Sequence, residues 1–261
     1  MAARDLQVLL GELTDLATAG AQPRTHAYGS DPEQVADLLL PGGDGEHPVA
    51  VLLHGGFWRA RFTRATMAAL AADLARRGWA SWNVEYRRAG NGGGVPETLE
   101  DVRAGIDALT RVGAPLDLSR VVIIGHSAGG QLGLCVADEP AVRAVVSLAG
   151  VCDLASAFAE GIGESAALEF MGAGPDERPA AYRLADPLER IPADVPVLLV
   201  HGDADQRVPV EQSRRYATAA EAAGGAKCEL IELAGVDHFA LIDPRTDAWS
   251  AVAARLQGLA P

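Results

Sequence analysis

Three residues in separate stretches have the types and the order that nucleophilic acyl transfer requires. Ser127 sits in GHSAGG (125–130), which matches G-x-S-x-G with Gly125 and Gly129 on either side. A neutral serine is a poor nucleophile until a base takes its proton and an acid orients that base. Downstream, VLLVHGDADQRVPVEQS offers Asp203 and Asp205, and ELAGVDHFALID offers His238. The order serine, acid, histidine is the one used by a nucleophile elbow, a sharp strand-to-helix turn that lifts the hydroxyl above the strand end. Asp205 is the preferred acid, because it lies far enough past Gly202 to reach a histidine ring beside a sheet. Asp203 is the alternative and reads better as a cap on the turn's own N–H groups.

A second glycine motif, HGGFW (54–58), follows the apolar run VAVLL. Acyl transfer builds negative charge on the carbonyl oxygen, and preorganised backbone donors stabilise it best. The N–H groups of Gly56 and Phe57, with that of Ala128 from the elbow, are the three candidate donors. Trp58 and Arg59 come next and are expected at the entrance. Trp58 offers a flat face for an aryl group, or an indole N–H that braces the loop. Arg59 offers a partner for a substrate carboxylate, or is a solvated surface charge.

These residues need elements to hold them. Runs rich in Val, Ile and Leu occur at 35–40, 49–54, 80–86, 120–126, 143–150, 196–202 and 227–233, bounded by Gly or Pro. Such runs read as strands buried on both faces. Helical spacing fills 63–78, 96–113, 210–225 and 244–258, with Gly78 and Gly113 as stops and Pro96 as a start. Alternation of the two implies an α/β fold, a mainly parallel twisted sheet of about eight strands flanked by helices. Residues 25–43 fit an antiparallel hairpin leading into it. Ser127 then falls where it must, between the strand VVII and an apolar helical pattern.

One connection is too long. Residues 153–192 separate two strands by far more than one short helix, so a cap or lid insertion is expected within a single domain, 1–261. Its Phe158, Phe170, Met171 and Tyr182 would roof a pocket, or else pack ordinarily onto the sheet.

The bulk properties exclude other classes. Net charge is −13 and Lys227 is the single lysine, which disfavours nucleic-acid binding. Cys135, Cys152 and Cys228 have no paired spacing and suggest a reducing compartment. Arg4, Asp5, Glu12 and Asp15 interrupt any signal-like apolar run, and no run reaches the roughly 18 apolar residues of a membrane span. A soluble, cytoplasmic protein is expected, with no membrane partner. His54, His126 and His201 each stand beside a strand-end glycine, but without HxH, HxxxH or carboxylate spacing they read as structural rather than as metal ligands.

Together HGGFW, GHSAGG, HGDADQRVP and GVDHF, spanning residues 54–239, resemble the α/β-hydrolases. The HGG-x-W form, with NVEYRRAG and VDHFALID, is similar to kynurenine formamidases (arylformamidases) and related small carboxylesterases. The resemblance implies hydrolysis of an ester or formyl amide with no cofactor. It implies Ser127, Asp205 and His238 as the triad, and Gly55 and Gly56 as the oxyanion loop. Arylformamidases favour Tyr after the glycines, where this chain has Phe57. Two other functions stay open: a prolyl-oligopeptidase-like peptidase acting on short peptides, and a non-catalytic ligand receptor on the same scaffold. The expected partner is a small-molecule ester or amide. The sequence leaves the oligomeric state open, a homodimer included.

Overall fold

The computed structural model describes residues 11–12, 22–191, 193–224 and 227–259. Most of the amino-terminal stretch read above for targeting, and residues 192 and 225, lie outside that range. Eight strands form one sheet: β1 (Arg24–Ala27), β2 (Val35–Leu39), β3 (His47–Leu53), β4 (Ala80–Val84), β5 (Leu116–His126), β6 (Val142–Leu148), β7 (Val197–Gly202) and β8 (Cys228–Leu233). Their order is β1-β2-β4-β3-β5-β6-β7-β8. β1 and β2 enter antiparallel, and every pair from β4 onward is parallel.

The period-two alternation of the strands builds two cores. Val49, Val51 and Leu53 of β3 face one way, toward Leu99, Val102 and Ile106. Those three lie on α2 (Glu97–Asp107). This face also takes α3 (Ala128–Cys135) and α7 (Glu211–Ala223), through Leu132 and Tyr216. Ala50 and Leu52 face the other way, toward Leu70 and Leu74 of α1 (Ala68–Arg76) and Trp249 and Leu256 of α8 (Asp247–Leu259). Both faces of the central strands are therefore dry, which is why their sequences read as unbroken apolar runs rather than alternating ones.

Strand β5 begins four residues before the expected 120. Its start, Leu116 and Asp117, pairs with His47 and Pro48, after which the register shifts between Pro48 and Val49. The apolar pattern marks only the part of the strand beyond that irregularity.

The long connection holds three helices, α4 (Leu154–Ala159), α5 (Ile162–Met171) and α6 (Pro179–Ala185), then a 3₁₀ turn at Pro187–Arg190. Asp153 caps α4 by accepting from the Ser156 N–H at 2.8 Å. The entry to α5 is irregular: Gly163, Glu164 and Ser165 are all left-handed, with φ of 68°, 59° and 64°. Phe170, Met171 and Tyr182 are buried in the core beside α3, and Phe158 packs on its edge.

The chain leaves β3 toward β4 on one side and leaves β5 toward β6 on the other. The space beyond the carboxyl ends of β3 and β5 is thus the topological switch point, where open α/β sheets place their ligands. No helix among the described residues is long and apolar enough to cross a membrane.

Candidate active site

Ser127 is the residue between β5 and α3, with φ 57° and ψ −118°. A non-glycine residue at positive φ is strained, and such strain gathers at functional sites. The small neighbours are a steric requirement. A Cβ on Gly125 would sit 2.1 Å from the Gly129 carbonyl oxygen, and one on Gly129 would sit 2.0 Å from that of Leu53. The turn is pinned from the next strand by the Ser127 N–H, which donates to the Leu148 carbonyl at 2.8 Å.

Asp205 follows β7, and its side chain is fully buried. Its Oδ1 accepts from the N–H groups of Arg207 (2.7 Å) and Val208 (2.9 Å). Its Oδ2 lies 2.6 Å from His238 Nδ1 and 3.3 Å from His201 Nε2. Burial pushes the carboxyl up, but the hydrogen bonds from His201 and His238 outweigh it and hold Asp205 well below the usual carboxylate range. The acid is therefore ionised where it touches the imidazole. Asp203 points elsewhere: its Oδ1 accepts from the Gly235 N–H at 2.6 Å.

His238 and Ser127 line one cavity of ≈ 80 Å³. The His238 ring lies 4.5 Å from that of His126, the residue preceding the serine. His126 Nε2 donates to the His238 carbonyl at 3.0 Å. Burial, then the neighbouring His238, pushes His126 down to about 3, so it stays neutral. It fixes the loop that carries His238.

Gly55, Gly56 and Phe57 line the same cavity. Gly56, Phe57 and Trp58 have φ of 117°, 53° and 55°, a run of left-handed backbone of which only the first residue is a glycine. Among the described residues, the N–H groups of Gly56, Phe57 and Ala128 have no backbone acceptor. Behind the loop, the His54 ring bridges the Gly55 carbonyl (2.7 Å) and Glu85 (2.8 Å). Burial raises the Glu85 carboxyl, but His54, Arg88 and the Arg64 N–H outweigh burial and hold it below its ordinary value.

Four expected substrate contacts do not reach the cavity. Trp58 is buried and turned inward. Its indole N–H donates to Gln131 Oε1 at 2.8 Å and its ring stacks on Phe170 at 4.7 Å. It takes the bracing role rather than offering a face to an aryl group. Arg59 is bound by both oxygens of Glu169, at 2.8 Å each, so its guanidinium is already occupied by a protein carboxylate. Phe170 is held under Trp58, and Phe158 packs against Gly174. These aromatics pack the core, which is the plainer of the two roles expected for them.

Sequence reasoning missed Gln131, whose Nε2 also donates to the Ala185 carbonyl at 2.7 Å. It missed the second histidine on Asp205, although His201 lies four residues ahead of it in HGDAD. It also missed the other cavity residues, Arg61, Phe62, Thr66, Arg207, Phe239 and Ile242. No group of three metal-ligating side chains occurs among the described residues.

A switch-point cavity with a strained serine elbow, on this sheet, defines an α/β-hydrolase. Within that class the chain belongs to the prolyl oligopeptidase family, whose model matches residues 58–257. It is 28% identical over 243 residues to an isoprenylcysteine alpha-carbonyl methylesterase of Arabidopsis thaliana, covering 82% of this chain and 56% of that protein. It is 28% identical over 246 residues to the esterase LipC of Mycobacterium tuberculosis, covering 83% and 59%. The chain thus spans under three-fifths of the length of these two relatives. Esterase B of Lactobacillus rhamnosis shares the fold with a TM-score of 0.79 at 18% identity, over 97% of this chain and 91% of that one. Esterase 2 of Thermogutta terrifontis does so with a TM-score of 0.73 at 21% identity, over 91% of each chain.

Proposed function

We propose that the chain is a serine hydrolase that cleaves small carboxylic esters or aryl formamides through an acyl-enzyme. The observation that carries this reading is the 2.6 Å contact between Asp205 and His238 Nδ1 beside the cavity that Ser127 also lines. Asp205 fixes the tautomer, leaving Nε2 as the base. Ser127 Oγ attacks the carbonyl and His238 takes its proton, then returns it to the departing alcohol or amine. Water repeats the attack, and the acid product leaves. The uncommitted N–H groups of Gly56, Phe57 and Ala128, in the loop that also carries Gly55, hold the oxyanion. In the same reading the insertion 153–192 is the cap that seats this loop, through Phe170 under Trp58 and Glu169 on Arg59.

The esterase relatives favour esters, and the HGGFW loop keeps aryl formamides within the class to test. Family membership also favours a second reading, a peptidase acting on short peptides. The three free cysteines fit a cytoplasmic location. The test is turnover of 4-nitrophenyl acetate, N-formylkynurenine and a prolyl peptide by the wild-type chain and by Ser127→Ala. Ester or formamide turnover, lost with the serine while the fold is kept, supports the proposal. Turnover that survives Ser127→Ala overturns it, and turnover of the peptide alone selects the peptidase. Stoichiometric labelling by a fluorophosphonate without any turnover selects the receptor.

A further inference from the structure

We infer that the substrate carries an ionised carboxylate besides the carbonyl that reacts, and that Arg61 and Arg207 read it. The inference rests on the hydrolase reading for the reacting carbonyl, and on the charge distribution around the cavity for the rest.

The chain holds 35 acidic against 22 basic residues, so an anion approaches against the molecule's overall field. The cavity reverses that balance. Among the described residues no acidic side chain lines it, and its cationic lining is Arg61 and Arg207. The other walls include the apolar Phe57, Phe62, Phe239 and Ile242, and the two arginines stand at the exposed rim.

Both guanidiniums are uncommitted. The arginines near the site are taken: Arg59 by Glu169, Arg64 by Asp37, Arg87 by Asp101 and Arg88 by Glu85. Among the described residues, Arg61 and Arg207 pair with no carboxylate. Glu169 does feel the charge of Arg61, but both its oxygens already accept from Arg59.

Each adjoins a different part of the site. The Arg61 guanidinium lies 4.9 Å from the centre of the Phe62 ring. Phe62 in turn covers Gly56, where an added Cβ would meet the Phe62 side chain at 2.3 Å. Arg61 is thus stacked one layer above the oxyanion loop. Arg207 adjoins the acid, its own N–H anchored on Asp205 Oδ1 at 2.7 Å. Arg61 and Arg207 line the same cavity as Ser127 and His238. The carboxylate therefore lies within a few bonds of the scissile carbonyl. Half-esters of short dicarboxylic acids and acyl esters of hydroxy acids both meet that description. In either, the carboxylate takes no part in bond making. The acyl C–O bond breaks, the alcohol leaves with the proton from His238, and water supplies the second oxygen.

The test compares kcat/KM for two matched pairs. Mono(4-nitrophenyl) succinate against 4-nitrophenyl butanoate places the charge on the acyl side. 4-Acetoxybenzoate against its methyl ester places it on the leaving group. For at least one pair the charged ester should be preferred, and 0.5 M NaCl should compress that preference. Arg61→Gln and Arg207→Gln should each lower the charged-to-neutral ratio about tenfold, mainly through KM. Arg61→Lys should restore part of it. Charged-to-neutral ratios at or below one for both pairs, or ratios unmoved in the double variant, overturn the inference while leaving the hydrolase reading intact. Succinate and 4-hydroxybenzoate binding to Ser127→Ala, measured by calorimetry, separates the two in the other direction. Binding that is lost with the two arginines, in a protein that turns over no ester, keeps the anion site and discards the hydrolase.

Discussion

Asp205 and the oxyanion loop both prepare the same cavity, yet they are held in opposite ways. The acid has four hydrogen-bond contacts, three of them from the short stretch His201 to Val208. His201 is itself fixed at both ring nitrogens, by Ser213 at 2.7 Å and the Val208 carbonyl at 2.9 Å. That side is complete in itself, closed by turn chemistry at a strand end. The loop at 55–58 is strained, and left-handed Phe57 and Trp58 cost about 1–3 kcal/mol each. What offsets the strain arrives from far along the chain: Gln131 is 73 residues from Trp58, and Glu169 is 110 from Arg59. Left-handed Gly163 lies against Phe57, so the insertion is bent where it meets the loop. A locally built half should respond only to its own residues. The other half should respond to the insertion.

The comparison is broken most easily at the acid. We expect Asp205→Asn to lower kcat by about 10⁴-fold, because the imidazole then loses its tautomer control. Asp203→Asn, which loosens only the contact to the Gly235 N–H, should cost less than about tenfold by the same argument from roles. Steady-state kinetics on 4-nitrophenyl acetate decides it, and equal losses would dissolve the distinction between the two acids.

This contrast also sets what could be read from the sequence. GHSAGG and HGDADQRVP announce themselves because a strand-end turn constrains adjacent residues. Gly125 and Gly129 are dictated by contacts within the elbow and to β3. The sheet was legible for a related reason, since strands dry on both faces must be continuous in Val, Ile and Leu. Trp58, Gln131 and Glu169 belong to no such local pattern. Nothing in their spacing says that an indole finds an amide on α3, or that a carboxylate on α5 takes the guanidinium expected to meet substrate. The excess length of 153–192 was visible. The left-handed entry at 163–165, two of whose three residues are not glycine, was not.

The next effect falls on Gln131, which joins the loop, α3 and the insertion. Gln131→Leu strands the buried Trp58 N–H, at about 1–3 kcal/mol, and leaves the Ala185 carbonyl with the weaker Cys135 thiol as its donor. We expect a lowered Tm and a fall in kcat of about 10²-fold, the cost of misplacing donors by about an ångström. If Tm drops while kcat holds, the loop keeps its shape without this brace, and both halves are self-supporting.

A smaller, pH-dependent effect belongs to Asp186, between α6 and the 3₁₀ turn. Burial pushes its carboxyl up to about 6, against the N–H groups of Ala155 and Leu188 that favour the charged form. The unfolded acid titrates near 3.9, so between pH 4 and 6 the folded state binds more protons than the unfolded one. Stability therefore falls as pH rises through that window, by on the order of 2 kcal/mol from this group. Amide protection factors in α4 and α6, corrected for the intrinsic pH dependence of exchange, should be higher at pH 4.5 than at pH 7, and Asp186→Asn should flatten the difference. Equal flattening in the Asp205 loop would mean that the halves share one response.

The smallest effect is the most specific. Glu169 is half exposed, and its pair with Arg59 spans the surface between loop and insertion. Exposed ion pairs contribute about 0–1 kcal/mol, so Glu169→Gln should shift Tm by little and should do so less at high salt. Its kinetic signature is more telling than its stability. The pair acts on a loop that is strained and on donors used only when the oxyanion forms, so loss of alignment should lower kcat a few-fold and leave KM unchanged. Without the Glu169 carboxylate, Arg59 keeps only its contacts to Glu164 and is a less neutralised cation two positions from Arg61. The variant should then accept a charged ester no worse than the wild type does. A rise in KM with kcat unchanged would mean that Glu169 shapes the ground-state pocket. The insertion would then be part of the binding surface, and the division between a self-contained acid side and a dependent oxyanion side would have to be redrawn around it.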